Sequence, residues 1–148
     1  MTSHVPADLA DRTRDERYDV PVSFVSEGED GSVDHSRVVK KRAVQCALSR
    51  ICGLCGISLA WGVTFLGSPE EAEANAFHFP PLHLPCAEAA LDLYPSLPVP
   101  VLGQSERLAA WVLVVTGGFE LERPASRQGD PRVAFHPNAV TETRRYEA

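Results

Sequence analysis

The chain has 148 residues, 44% of them hydrophobic, with 14 Lys and Arg against 20 Asp and Glu and a formal net charge of −6. That is the size of one small domain with a modest core, and the acidic balance argues against wholesale nucleic-acid binding, which runs on excess Lys and Arg. The first thirty residues are polar and acidic without an apolar stretch, so no export signal is read and a soluble, cytoplasmic protein is expected.

Residues 1–18 are charged and aperiodic, the pattern of a disordered acidic tail. This leaves 19–140 as a single folded domain and 141–148 as a polar C-terminal tail. Val20–Val25 is the first candidate strand, and Pro21 confines it to an edge because proline cannot donate to a ladder. An acidic turn follows at 27–31. The next segment predicts a helix over 36–50, with Ser36 as its N-cap and Val39, Ala43, Cys46 and Ala47 as its buried stripe. No acid lies between residues 37 and 50, where Arg37, Lys40, Lys41 and Arg42 cluster. These four form either a solvated helix face or a surface for a protein or nucleic-acid partner.

Ile51–Gly67 is a stretch of 17 residues without a charge, short of the roughly 18–20 that a membrane span needs. Its second half, with Trp61, Val63 and Phe65 in alternation, reads as a strand. Glu70–Ala76 reads as a short helical turn and Phe77–Phe79 as a short strand. Pro80 and Pro81 impose an extended approach to a helix over Cys86–Tyr94, whose first turn is opened by Pro85. Pro95 and Pro98 end it. Leu108–Thr116 reads as a buried strand and Gly117-Gly118 as a turn from which Phe119–Leu121 pairs back. A polar loop over 123–131 and a weaker strand over Arg132–His136 follow. The sum is a small α+β domain whose C-terminal strands complete a sheet with Val20–Val25.

The chemistry sits in the cysteines. Four thiols in a chain without an export signal argue against a disulfide framework. Their spacing is specific: Cys52-x2-Cys55 is followed by His83-x2-Cys86. Zinc takes four tetrahedral N or S ligands, and a three-residue step brings two side chains to one ion. Gly53 and Gly56 bracket the first pair as in a zinc knuckle, where a tight turn needs residues free of a Cβ. The second pair opens a helix, where free amides and the dipole favour a thiolate. Knuckle, strand pair and ligand-bearing helix make a treble-clef-like order, with a structural Zn2+ on Cys52, Cys55, His83 and Cys86. Two residues compete as ligands: Cys46, which falls on the apolar stripe of its helix, and His78, which alternates with Phe77 and Phe79.

Val20–Val25, Cys52-Gly-Leu-Cys-Gly56 and Phe79-Pro-Pro-Leu-His83-Leu-Pro-Cys86-Ala-Glu-Ala-Ala-Leu91 resemble a group of small actinobacterial and actinophage proteins. These carry a Cys-x2-Cys, a hydrophobic strand and a Pro-Pro-x-His-x2-Cys leading into an Ala-rich helix. The resemblance spans roughly residues 20–98 and implies a metal site, with no activity to carry over. Members often close the helix with Cys-Pro, where this chain has Tyr94-Pro95; the four ligands are untouched by that departure.

Catalytic patterns are sparse. A zinc deaminase needs His-x-Glu ahead of Pro-Cys-x2-Cys; Pro85-Cys86 is present without the rest. Glu70 and Glu71 are adjacent and diverge, and Ser126, Asp130 and His136 form no nucleophile motif. Two enzyme alternatives stay open beside an interaction module: a metal-dependent nuclease using His78, and a dithiol oxidoreductase using Cys52 and Cys55.

Overall fold

The computed structural model describes residues 5–60, 62–123 and 132–147. The expected contribution of Trp61 to a strand lies outside those residues, as do Ser126, Asp130 and most of the 123–131 loop. The described chain is mixed helix and antiparallel sheet. In order it runs α1 (Ala7–Ala10), β1 (Arg14–Asp15), β2 (Val20–Pro21), a 3-10 turn at Phe24–Ser26 and α2 (Lys40–Ser49). Then come β3 (Val63–Gly67), α3 (Pro69–Ala74), α4 (Leu84–Leu93), β4 (Ala110–Thr116), β5 (Phe119–Glu122), β6 (Ala134–Pro137) and β7 (Val140–Glu147).

The organising layer is a three-stranded antiparallel sheet in the order β3-β4-β7, with Phe65 opposite Val114 and Leu113 opposite Arg144. Because strand side chains alternate between faces, β3 and β4 feed two cores. Leu66, Trp111 and Leu113 pack on one face with Cys52, Cys55, Cys86, Ala87 and Tyr94. Val63, Phe65, Val112 and Val114 pack on the other with Ala43, Phe77, Val133 and Phe135. A strand buried on both faces has no polar alternation, which is why Ala-Trp-Val-Leu-Val-Val reads as a continuous apolar run.

Several expectations are corrected by where the backbone bonds go. Val20–Val25 does not join this sheet. Only Val20–Pro21 forms a strand, paired with β1, because the Phe24 and Val25 amides donate instead to the Leu54 and Gly53 carbonyls at 2.9 and 3.2 Å. The helix of 36–50 begins four residues late, at Lys40, with Val39 as an N-cap that makes no side-chain bond. Ser36 is captured by Asp34, whose Oδ1 accepts from both its amide and its hydroxyl. Phe119–Leu121 does not pair back on β4; β5 pairs with β6, and Phe77 bridges to Phe135. The short helix near Glu70 is present, fixed by a reciprocal box in which Ser68 accepts from the Glu71 amide and Glu71 accepts from the Ser68 amide.

The described residues at both ends of the chain are also built into the structure. Leu9 on α1 is fully buried in the first core. Asp15 on β1 accepts from His35 Nε2 at 2.8 Å, in a pair whose side chains are 9% and 4% exposed. Residues 140–147 form β7, the longest strand described. Its sequence carries no hydrophobic period, since only Arg144 and Tyr146 along it are half-buried and the rest is exposed.

Two outcomes test this arrangement. Leu9→Ala removes a fully buried side chain, so the unfolding free energy should drop by roughly 2–5 kcal/mol; a loose tail would show no change in a urea titration. Burial pushes the Asp15 carboxyl up, but the bonds from His35 and from the Arg17 amide outweigh it and leave it below the ordinary value. A depressed carboxyl contributes stability that is present above the unfolded value of about 3.9 and lost as pH falls through the folded one. Asp15→Asn should therefore flatten the acid limb of a stability–pH profile measured between about pH 3 and 7.

Candidate metal centre

The centre begins where α2 stops. Arg50 takes the left-handed conformation, φ 52°, and turns the chain into the knuckle. There the Gly56 amide donates to the Cys52 carbonyl and the Cys52 amide to the Ile57 carbonyl, both at 2.9 Å. The two glycines serve different ends. Gly56 has φ 76°, and a Cβ there would lie 3.0 Å from Phe24 Cδ1. Gly53 has no unusual φ; its missing Cβ lets Pro80 come within 3.1 Å of that position. The turn places Cys52 and Cys55 on one side.

The second half arrives along an extended segment pinned on two sides. The Gly53 amide donates to the Pro81 carbonyl at 2.9 Å, and Thr64 and Leu82 exchange both backbone bonds at 2.9 and 2.8 Å. His83 then becomes the N-cap of α4, with Pro85 and Cys86 in the first turn. One potential ligand atom from each of Cys52, Cys55, His83 and Cys86 lies within 4.8 Å of all the others. His83 Nδ1 is 3.4 Å from Cys55 Sγ and 3.8 Å from Cys86 Sγ. A tetrahedron with metal–ligand distances of about 2.0–2.3 Å has edges of roughly 3.3–3.8 Å, and the two distances from His83 Nδ1 match such edges.

The imidazole is oriented as a ligand. Its Nε2 lies 3.0 Å from the Ser58 carbonyl oxygen, which can only accept, so Nε2 carries a proton and the neutral ring presents its Nδ1 lone pair to the thiols. Burial alone would push the Cys52 thiol up. Hydrogen bonds from the Cys55 and Cys86 thiols and from the Cys55 and His83 amides outweigh it, holding Cys52 well below the ordinary range. Cys55 and Cys86 are raised, chiefly by their hydrogen bonds to Cys52. All four cysteines are free thiols. The group can hold a metal ion through three sulfurs and one nitrogen.

The rival ligands lie elsewhere. Cys46 is fully buried among the apolar side chains of the first core, its thiol pushed up to about 12 mainly by burial. His78 is outside the group; its Nδ1 meets the Val133 carbonyl at 3.0 Å and its amide donates to Glu71 Oε2 at 3.0 Å. Glu71 is thus occupied with the Ser68 and His78 amides and the Gln104 side chain.

The four basic residues are divided by the structure. Arg37 donates to the Ser26 and Ser32 carbonyls at 3.0 and 2.8 Å. Arg42 donates to the Phe24 carbonyl at 2.6 Å, lies 3.5 Å from Glu27 and stacks 4.6 Å over the Phe24 ring. Both clamp the knuckle's neighbours together. Lys40 and Lys41 remain exposed, Lys41 beside Glu29 at 3.4 Å. What sequence reasoning missed at the site is the shell around the ligands. The Ser58 carbonyl carries no residue-type signal, and Phe24 over Gly56 looked like part of a strand.

No family profile, curated protein or solved structure matches this chain. Among the described residues no helix is long and apolar enough to cross a membrane.

Gly56→Ala combines a positive φ with a Cβ pressed on Phe24. It should lower the denaturation midpoint by the equivalent of about 1 kcal/mol or more, whereas Gly31→Ala, whose φ of 82° opens onto free space, measures the backbone strain alone.

Proposed function

We propose that this protein is a small zinc-binding module in which one structural Zn2+, held by Cys52, Cys55, His83 and Cys86, fastens the knuckle to α4 and lets the domain act by binding a partner. The observation that carries the reading is the His83 imidazole, fixed by Ser58 so that Nδ1 faces three thiols at ligand spacing. Three soft sulfurs and one imidazole in a tetrahedral set favour zinc over harder ions, which prefer oxygen. Four protein ligands fill the shell, so no position is left for a reactive water.

The order of parts supports a treble-clef-like module. A knuckle leads into β3, the chain returns to pair with β3 at Leu82, and α4 supplies the last ligand. α3 is an insertion between the two arms. In such a module the ion contributes folding free energy, on the order of 10 kcal/mol in zinc-finger peptides. The interaction role follows from the closed shell that this reading gives the ion. A nucleic-acid partner on the α2 face has less support, since Arg37 and Arg42 are engaged internally.

Native mass spectrometry of protein purified without added metal should find one zinc per chain. Cys86→Ser should lose the ion and the cooperative thermal transition, whereas Cys46→Ala should keep the ion and lose only about 1 kcal/mol of stability. A chain that stays folded and metal-free in strong chelator would sink the reading.

A further inference from the structure

Acids outnumber bases in this chain, 20 Asp and Glu against 14 Lys and Arg, yet one hollow has the opposite character. It measures about 260 Å3 and is lined by Val38, Lys40, His78, Arg132 and Val133, with no carboxylate among its described lining residues. None of the four proposed metal ligands lines it. Its walls come from three separate stretches of chain: the start of α2, the residue after the Phe77 bridge and the approach to β6.

The charges nearby do not neutralise Lys40. It opens α2, whose first turn holds no acid, and it is exposed, with no hydrogen bond or ion pair to a described residue. Glu29 lies by Lys41 instead, at 3.4 Å. Glu71, bonded to the His78 amide, also accepts from the Ser68 amide and the Gln104 side chain. The imidazole of His78 is held in the wall by its Nδ1, 3.0 Å from the Val133 carbonyl oxygen. Arg132 offers five N–H donors in a planar fork, enough to serve an incoming carboxylate as well as its neighbours in the fold.

Two demands on a ligand follow, and one molecule meets both. A lysine and an arginine at one hollow make a positive potential that favours an anion. Val38, Val133 and the hydrocarbon stems of the two long side chains favour an apolar body. An inorganic anion would leave the valines without contacts, and a neutral hydrocarbon would leave the cations without a counter-charge. The hollow is also small beside the roughly 300–1,000 Å3 of a drug-sized site. We propose that it binds a small organic carboxylate, with the charged end at Lys40 and Arg132 and the apolar body against Val38 and Val133. This site goes beyond the interaction role proposed above and does not depend on it.

The test titrates the full 15N-labelled chain with benzoate to about 10 mM, a range that captures millimolar affinities. Benzyl alcohol supplies the same ring without the charge, and inorganic phosphate supplies charge without the ring. Ionic strength is held constant, because it screens exposed charges, and the amide resonances of Val38 and Val133 are followed. The expected result is a saturable shift with benzoate alone. Lys40→Gln, at an exposed position, should weaken it roughly three- to tenfold, and Lys40→Arg should keep most of it. No saturable shift overturns the site. An equal response to benzyl alcohol overturns the anion, and an equal response to phosphate overturns the apolar body. Unchanged affinity in Lys40→Gln overturns the placement of the carboxylate.

Discussion

The segment Pro80–His83 is the constraint on which the rest of the structure depends. Its backbone answers the knuckle through the Gly53 amide and β3 through Thr64, and its last residue both caps α4 and presents Nδ1 to three thiols. Prolines make this possible. Pro80 and Pro81 hold the chain extended, so it can lie between two partners without folding onto itself. Release that strip and α4, β3 and the knuckle have no common reference. A metal ion at the four ligands would lock three elements through one point, which suits a fold whose largest described sheet has three strands.

A second clamp acts from the N-terminal side. Phe24 sits over Gly56 and under two guanidinium groups, Arg12 at 5.7 Å and Arg42 at 4.6 Å from its ring centre. Glu27 lies 3.5 Å from both arginines. Charges in this setting do structural work: each arginine also donates to a backbone carbonyl, Arg12 to Val22 and Arg42 to Phe24. The acidic N-terminal segment and the basic start of α2, which look like opposite surfaces in the sequence, therefore meet and partly cancel. Buried Tyr94 closes the same region from α4, its hydroxyl donating to the Pro21 carbonyl at 2.6 Å.

The candidate site was largely legible because spacing and residue type together encode it. Cys-x2-Cys and His-x2-Cys set pairs of donors three residues apart, and Pro85 marked the helix that bears the last one. The mixed α+β character, α4 and the buried β4 were legible for the same reason, since each has a local period or composition of its own. What was not legible depends on bonds made at a distance. β2 is short because the Phe24 and Val25 amides after it are used by Leu54 and Gly53, about thirty residues on in sequence but adjacent in the fold. α2 starts late because Asp34 takes Ser36 first. β7 has a polar sequence on both faces, and only its neighbour β4 makes it a strand.

That outer strand has a consequence for how the molecule keeps its own company. Among the described residues β7 pairs on one side only, and a bare row of amides and carbonyls ordinarily invites a second chain to continue the sheet. Here the row is studded with Glu142, Arg144, Arg145 and Glu147, and its register slips opposite Val115 and Thr116, which twists the end of the strand out of line. Charges and a bulge along an unpaired edge are features that discourage another strand from continuing a sheet, so this edge is guarded without being covered.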